Sequence, residues 1–473
     1  MNASQLSRRK FLTLTGVAGG AAMLAACSPP TPAGEQPAAS VGEAAGAPDT
    51  EPVTIVAKAW PGSPFETESI QAAIDRFREE YPHYTVDWQT EPQAYGQKVL
   101  TQIAAGTPPD TMYAGSADFF SWVIQGVLLD ITAYVDAHEG FSQPTYWTHY
   151  EEELKRCTWE GHWYGLGSCW VCPHLYTNLD AFEAAGIEPP SNHPGEAWTW
   201  DEFLTVATAL TLDGNGNHPG DSGFDPDDIQ QHGVQWPTWF IPLHAAVGSN
   251  GGQYTAPAPD GRILFDSSEA MEAIQQVADL VNVHQVAPHG AFFSEIGMNN
   301  LEALGSGRLA MIADGSWNVL RIQPLDFNFG TGVLPYMQTP YTDIQAHNQV
   351  MAAGGRQPEA TWEFVAFLSG DFYQKTMCAG GLWLPTHTSL ATPEGIASWL
   401  NDDVHPPGYE TIALDYVNAY GRTMYMGPGF NEANQIVASA LDAVWIGDAQ
   451  ATDVVPGSVQ EANQVIEDWK NRS

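Results

Sequence analysis

The chain has 473 residues, with 56 Asp and Glu against 17 Lys and Arg, for a formal charge of −39. A field of that sign repels nucleic acid and anionic lipid and disfavours polyanionic ligands, which leaves neutral or cationic solutes. Its aromatic content of 11%, with 17 Trp, is high and supplies large flat apolar faces.

The N-terminus reads as an address. Ser7-Arg8-Arg9-Lys10-Phe11-Leu12 places a basic cluster ahead of the apolar run 12–26, the order of an export signal. That run is shorter than the roughly 20 apolar residues a bilayer requires. The paired arginines resemble a twin-arginine signal, which exports folded protein. Leu24-Ala25-Ala26-Cys27 reads as a lipoprotein cleavage box, with the Cys27 thiol as the site of lipidation and a multi-chain lipid as a stable anchor. Residues 1–26 are therefore expected to be a twin-arginine lipoprotein signal peptide. Residues 27–51, rich in Pro, Ala, Gly and Ser, form the lipidated flexible linker. The expected location is the outer face of the bacterial cytoplasmic membrane. Loss of Arg8, Arg9 and Lys10 with the signal takes the charge from −39 to −42.

The remaining chain of about 420 residues exceeds what one core usually supports and suggests two lobes. The β-branched run 53–57 predicts a strand. Ile70, Ile74, Phe77 and Tyr81 then recur at helical spacing up to Pro82. A strand over 84–88, a helix over 94–105 stopped at Gly106, and a strand over 110–114 complete a βαβα opening, which predicts a mostly parallel sheet covered by helices on both sides. Ligands of such sheets lie beyond the carboxyl ends of the strands. Thr199-Trp200-Asp201-Glu202 is a capping box for a helix to about residue 212. Further helices are expected after Ser267, over 359–368, and around 436–445 and 459–469, with an apolar strand at 309–313.

Several segments, in order, resemble the extracytoplasmic solute-binding proteins of ABC importers, in the carbohydrate-binding group (family 1) that includes maltose-binding protein. They are Ala104-Ala105-Gly106-Thr107-Pro108-Pro109-Asp110, Trp163-Tyr164-Gly165-Leu166, Leu175-Tyr176-Thr177-Asn178, and Ala184-Ala185-Gly186-Ile187. Later matches are Gly305-Ser306-Gly307-Arg308-Leu309-Ala310-Met311 with Gly315-Ser316-Trp317, then Pro358-Glu359-Ala360-Thr361-Trp362, then Gly380-Gly381-Leu382-Trp383-Leu384-Pro385. The resemblance implies an α/β, two-lobed, periplasmic-binding-protein-like fold of type II, with a ligand cleft between lobes joined by a hinge. It places the hinge crossings near 165–170, 346–353 and 381–386. The N-terminal lobe is then 52–168 plus 348–380, and the C-terminal lobe is 169–347 plus 381–473. It also implies a non-enzymatic monomer that binds a sugar or oligosaccharide and delivers it to the transmembrane subunits of an ABC permease. Membrane contact would be through the lipid anchor alone, with no nucleic-acid partner.

A sugar cleft needs aromatic faces for the C–H surfaces of its ligand and fixed polar groups for the hydroxyls. Trp60, Trp170, Trp239, Trp317 and Trp383 are the stacking candidates, with ordinary core packing as the competing reading. Trp122, Trp147, Trp362, Trp445 and Trp469 read as packing. Glu66 and Asp118, each expected at a helix start after a strand, are the polar candidates together with Asp314 and Arg356. Helix capping competes for the carboxylates, and a surface ion pair competes for Arg356. Asp213, Asn215 and Asn217 alternate like the opening of a calcium loop, but His218 stands where that loop needs Gly, so a structural calcium ion competes with a solvated acidic turn. No other metal or cofactor is expected.

Cys157, Cys169, Cys172 and Cys378 permit three full disulfide pairings. Cys169-Trp170-Val171-Cys172 reads as a structural disulfide or reduced packing before dithiol chemistry. No H-E-x-x-H, G-x-S-x-G or phosphate loop is present. Two alternatives stay open: a lipid-anchored glycoside hydrolase working through two carboxylates, and a receptor of the same fold for a cationic or peptide-like solute.

Overall fold

The computed structural model describes residues 52–60 and 62–471. The signal peptide, Cys27 and the linker lie outside them. Among the described residues no helix is long and apolar enough to cross a membrane.

The predicted opening forms as β1 (Val53–Ala59), α1 (Pro64–Glu80), β2 (Tyr84–Thr90), α2 (Tyr95–Ala104), β3 (Thr111–Ala114) and α3 (Ser116–Ile124). Strand β1 lies between β2 and β3 and is parallel to both. The sheet continues through Asn348–Met351, antiparallel to β3, to the short strand Leu166–Gly167. Both faces are covered. Ile55 and Ala57 belong to one core with Phe77 of α1 and Phe364 of the helix Pro358–Leu368, whose rings meet at 5.0 Å. Met112, Ala114 and Val350 form another with Val99 and Phe119. Burying the large ones among them, such as Ile55, Phe77, Met112 and Phe119, contributes about 2 kcal/mol each, and β3 is buried along its whole length.

A second sheet has the central strand Pro173–Asn178, paired antiparallel with Met311–Gly315 on one side and Phe329–Gly332 on the other. Helix Trp200–Leu210 carries the predicted capping box: Thr199 Oγ1 accepts the Glu202 N–H, and the Glu202 carboxylate accepts the Thr199 N–H at 2.8 Å. Helices Phe240–Ser249, Ser268–Asn282, Phe430–Trp445 and Ala451–Lys470 build a separate core on this half. The final helix starts eight residues before its predicted start at 459, because Pro456 is accommodated inside it rather than ending it. Trp122, Trp147, Trp362 and Trp469 are buried packing residues.

The chain segments between the two sheets run side by side. Trp170 and Leu384 exchange backbone hydrogen bonds of 2.8 and 2.9 Å, and Val171 and Gln345 exchange bonds of 3.0 and 3.2 Å. Residues 387–391, assigned by resemblance to the C-terminal lobe, instead hang from the first half. Thr388 Oγ1 donates to the Tyr146 carbonyl at 2.9 Å, and Asp371 takes both Ser389 Oγ at 2.7 Å and the His387 ring at 3.0 Å.

Beneath these crossings lies a sealed ion pair. Glu153 accepts Arg156 Nε at 3.0 Å and Nη2 at 2.6 Å, with both side chains almost wholly buried. The guanidinium carbon sits 3.7 Å from the centre of the Trp170 ring. Gly167 covers the pair; a Cβ there would stand 1.9 Å from Arg156 Nη2 and 2.5 Å from each Glu153 oxygen. Removing one partner leaves a buried, uncompensated charge. Glu153→Ala should therefore cost about 3–5 kcal/mol in chemical unfolding; a loss below about 1 kcal/mol would show that the Arg156 charge reaches solvent.

Candidate ligand-binding cleft

The carboxyl ends of β1 and β3 and the start of Asn348–Met351 converge on one edge of the first sheet. Trp60, just past β1, meets Tyr95 edge-to-face at 4.6 Å, Tyr113 at 5.3 Å and His347 at 5.6 Å. His347 stacks on Tyr113 at 4.0 Å and 23° and lies 5.3 Å from Trp383. Trp383 crosses Tyr373 at 5.1 Å, and the Tyr113 and Tyr373 hydroxyls share a 2.9 Å hydrogen bond. Trp60 and Trp383 thus belong to one aromatic floor with four rings that the sequence reading passed over; Trp60 is partly exposed, whereas Tyr113, Tyr373 and Trp383 are buried.

The carboxylates stand at helix starts, as expected. Ser63 caps α1 by accepting the Glu66 N–H at 3.1 Å, and the Glu66 carboxylate turns back to accept the Gly62 N–H at 2.5 Å. Burial pushes Glu66 above the usual carboxylate range, against the pull of Gly62 and of Arg321 from the other half. Asp118, in the first turn of α3, accepts Asn431 Nδ2 at 2.7 Å; burial and then Glu432 raise it. Asp314 ends the strand Met311–Gly315, accepts the Gly315 N–H at 2.7 Å, and is also raised by burial. Glu66 therefore binds the backbone just ahead of its own helix, whereas no side chain caps α3 and Asp118 turns to Asn431.

Asp118–Asn431 spans the two halves, as does the bond from the Gly429 N–H to Ser121 Oγ at 3.1 Å. Next to them is a cavity of about 1100 Å³. Tyr95, Gln97, Asp118 and Trp122 line it from one half, and Gln435 and Glu461 from the other. On the second half Trp239 and Trp317 tilt against each other at 5.7 Å, and Trp239 is 38% exposed. The Trp317 ring occupies the space a Cβ on Gly315 would need, 2.1 Å away. No ring contact among the described residues joins this pair to the Trp60 floor.

Two candidates are corrected. Trp170 is fully buried with Arg156 over its face, so it belongs to the hinge core and offers no surface to a ligand. Arg356 is exposed at the opposite edge of the sheet, where its N–H donates to Asp110 at the start of β3, because Asn348–Met351 runs antiparallel and carries the chain away from the cleft.

Of the residues passed over, Tyr113 and His347 had a usable signal. One ends a strand of the parallel opening, and the other lies in the second expected crossing. Tyr95, Tyr373, Arg321 and Asn431 had none, since long-range packing alone brings them in.

Asp213 spends its carboxylate on its own loop, accepting the N–H groups of Asn215 and Asn217 at 2.8 Å and of Asp225 at 3.0 Å, plus Asn217 Nδ2. Among the described residues no group of three or more His, Cys, Asp or Glu is placed to hold a metal ion. Cys157, Cys169, Cys172 and Cys378 are buried free thiols. Burial raises Cys169 and Cys172, which opposes the thiolate that dithiol chemistry requires.

Two α/β halves meeting over a ring-floored cleft define a two-lobed solute-binding fold. The sequence profile of bacterial extracellular solute-binding proteins matches residues 72–407, and the chain belongs to that family. An uncharacterized lipoprotein in the oleD 5′ region of Streptomyces antibioticus is 24% identical over 365 residues, covering 72% of each chain. The ABC substrate-binding protein of Listeria monocytogenes in complex with cycloalternan superimposes with a TM-score of 0.75 at 22% identity, over 88% of this chain and 99% of its own. The GacH receptor of Streptomyces glaucescens, solved unliganded and with acarbose, gives 0.70 at 16% identity, over 88% and 99%.

The raised Glu66 carries a signed pH dependence. Below the ordinary carboxylate value of about 4.3 both folded and unfolded chains hold the proton, and the burial cost is absent. As the pH rises through that value and then through the raised folded value, the unfolded chain ionises first and stability falls. Glu66→Gln should melt above the wild type at pH 7, with the gap closing toward pH 4; a gap that does not change with pH would discount burial of the charge.

Proposed function

We propose that this protein is a non-enzymatic receptor of an ABC importer that binds a sugar or oligosaccharide between its lobes and delivers it to the permease. The observation that carries this reading is the floor of Trp60, Tyr113, His347 and Trp383 with Glu66 and Asp118 at its rim. Rings take the apolar faces of a pyranose, and carboxylates with amides take its hydroxyls. The cycloalternan and acarbose complexes of its structural relatives support the same ligand class. The Cys27 box, together with the lipoprotein name of the Streptomyces antibioticus relative, supports lipid anchoring on the outer face of the membrane. The lobes are proposed to divide as 52–168 plus 348–380 and 169–347 plus 381–473, with residues 387–391 docked on the first.

A second reading has its own observation. The cavity beside Asp118 is lined by Glu432 and Glu461 as well and by no Lys or Arg, which suits a cationic solute.

A melting-shift screen against neutral saccharides from glucose to maltotetraose, cycloalternan, acarbose and polyamines separates these readings. A neutral saccharide should raise the melting temperature, by about 2.7 kcal/mol of added stability at a hundred times Kd, and quench or enhance tryptophan fluorescence saturably without releasing new reducing ends. Trp60→Ala should weaken that binding at least tenfold. Turnover of the saccharide would sink the receptor reading, and a response to polyamines alone would replace the sugar with a cation.

A further inference from the structure

His347 has a feature that its ring contacts do not explain. Its Nε2 is shut away from solvent and has no hydrogen-bond partner among the described residues. The ring is not free to seek one. Tyr113 is stacked on it at 4.0 Å, and Trp60 and Trp383 flank it at 5.6 and 5.3 Å. Its backbone is also fixed, because the next residue, Asn348, pairs with both Ala114 and Gly167 and its side-chain Nδ2 donates to the Arg156 carbonyl at 2.8 Å.

An imidazole so placed is uncharged; burial, with a smaller contribution from Arg156, takes its pKa down to about 3. A neutral ring has one N–H and one lone pair, and whichever of them Nε2 presents goes unanswered in this arrangement. Leaving it unanswered incurs the full desolvation penalty of a lost hydrogen bond. Two events relieve it: the halves open and admit water, or a ligand supplies the partner. A hydroxyl both donates and accepts, so it answers either tautomer, whereas a carboxylate answers only the N–H and an ammonium only the lone pair.

We propose that His347 sets both the specificity and the closure of the cleft: its unpartnered ring nitrogen takes a ligand hydroxyl and makes closure without one unfavourable, a role that rests on the sugar-binding reading. The ring stack holds the nitrogen in position before the ligand arrives, so little ordering remains to oppose binding. Closure driven by a ligand requires a contact that differs between the open and closed forms, and this nitrogen supplies one.

Three variants of the full chain test it. His347→Phe keeps a ring to stack on Tyr113 and removes both nitrogens. His347→Gln restores an amide near the Nε2 position, and His347→Asn places its amide near Nδ1 instead. Each is titrated with neutral saccharides from glucose to maltotetraose, and its radius of gyration without sugar is measured by small-angle scattering. His347→Phe and His347→Asn should bind about tenfold more weakly than wild type, and His347→Gln within about threefold. Without sugar, His347→Phe should be more compact than wild type, because the penalty on empty closure is gone. Equal affinity and equal dimensions for His347→Phe and wild type would overturn the role of His347 and leave sugar binding standing. If wild type binds none of the saccharides, the sugar-binding reading falls and this role with it. Should His347→Phe fail to fold, the contrast between His347→Gln and His347→Asn decides, and equal affinities there refute the proposal.

Discussion

The structure depends on a hinge whose strands are bonded to one another over a buried ion pair. Trp170 with Leu384 and Val171 with Gln345 tie three separate parts of the chain edge to edge. Below them the Glu153–Arg156 pair is closed off by Gly167 and faced by Trp170. Such a pair is weak evidence for stability, since its desolvation offsets most of its attraction. Its geometry, however, is demanding. The guanidinium can satisfy its charge only if helix Tyr150–Cys157, strand Leu166–Gly167 and Trp170 hold their places together. A two-lobed receptor needs this property at its hinge, where the halves must rotate as bodies without the crossings sliding past each other.

The same crossings deliver the floor of the cleft. His347 precedes the strand that continues the first sheet, Trp383 precedes the Leu384 that pairs with Trp170, and Trp60 follows the strand that starts that sheet. The rings meet because their backbones are already fixed by the sheet and hinge, and the rings in turn hold one another at mutual angles that leave no slack. The rim works by a different principle. Glu66 and Asp118 are acids held partly out of water, each steadied by a single neutral donor, Gly62 or Asn431, rather than by a paired cation. They retain acceptor capacity that a neutral hydroxylated or a cationic ligand can use, and the acidic surface around them gives no welcome to an anion.

Much of this was legible from sequence where the cause is local. The β1 to β3 opening follows from β-branched runs and helical periodicity, and the Thr199–Glu202 box follows from capping chemistry alone. Apart from the start of α1, which lies six residues before Ile70, their bounds differ from the reading by two residues or fewer. Glu66 and Asp118 stand in the first turns of helices that follow parallel strands, as the local pattern led one to expect. What could not be read is set by partners far along the chain. Trp170 looked like a hinge stacker until Arg156 covered it. Arg356 looked like a cleft cation, but the direction of Asn348–Met351 decides which edge it reaches, and strand direction is not written in those four residues. Asp213 had the alternation of a cation loop, yet the N–H groups of Asn215, Asn217 and Asp225 claim its oxygens. His347 and Tyr373 acquire meaning only from the rings that reach them across about 230 residues or more in the case of Tyr113.

Across the rim the halves meet through two side-chain hydrogen bonds, through the Thr423 N–H on the Glu152 carboxylate at 2.9 Å, and through Tyr425, whose ring packs on Phe120 at 4.8 Å. Asp118–Asn431 and Gly429–Ser121 are hydrogen bonds of ordinary length between groups with access to water when separated, and each contributes about 1 kcal/mol net. That is small beside the roughly 5.5 kcal/mol a ligand must contribute to carry a two-state equilibrium from almost empty to almost full. These two bonds alone therefore cannot commit the protein to closure. On the proposed reading, the remainder comes from a ligand in the space above Trp60 and His347. Only the part of its affinity that differs between the open and closed forms then drives the conformational response.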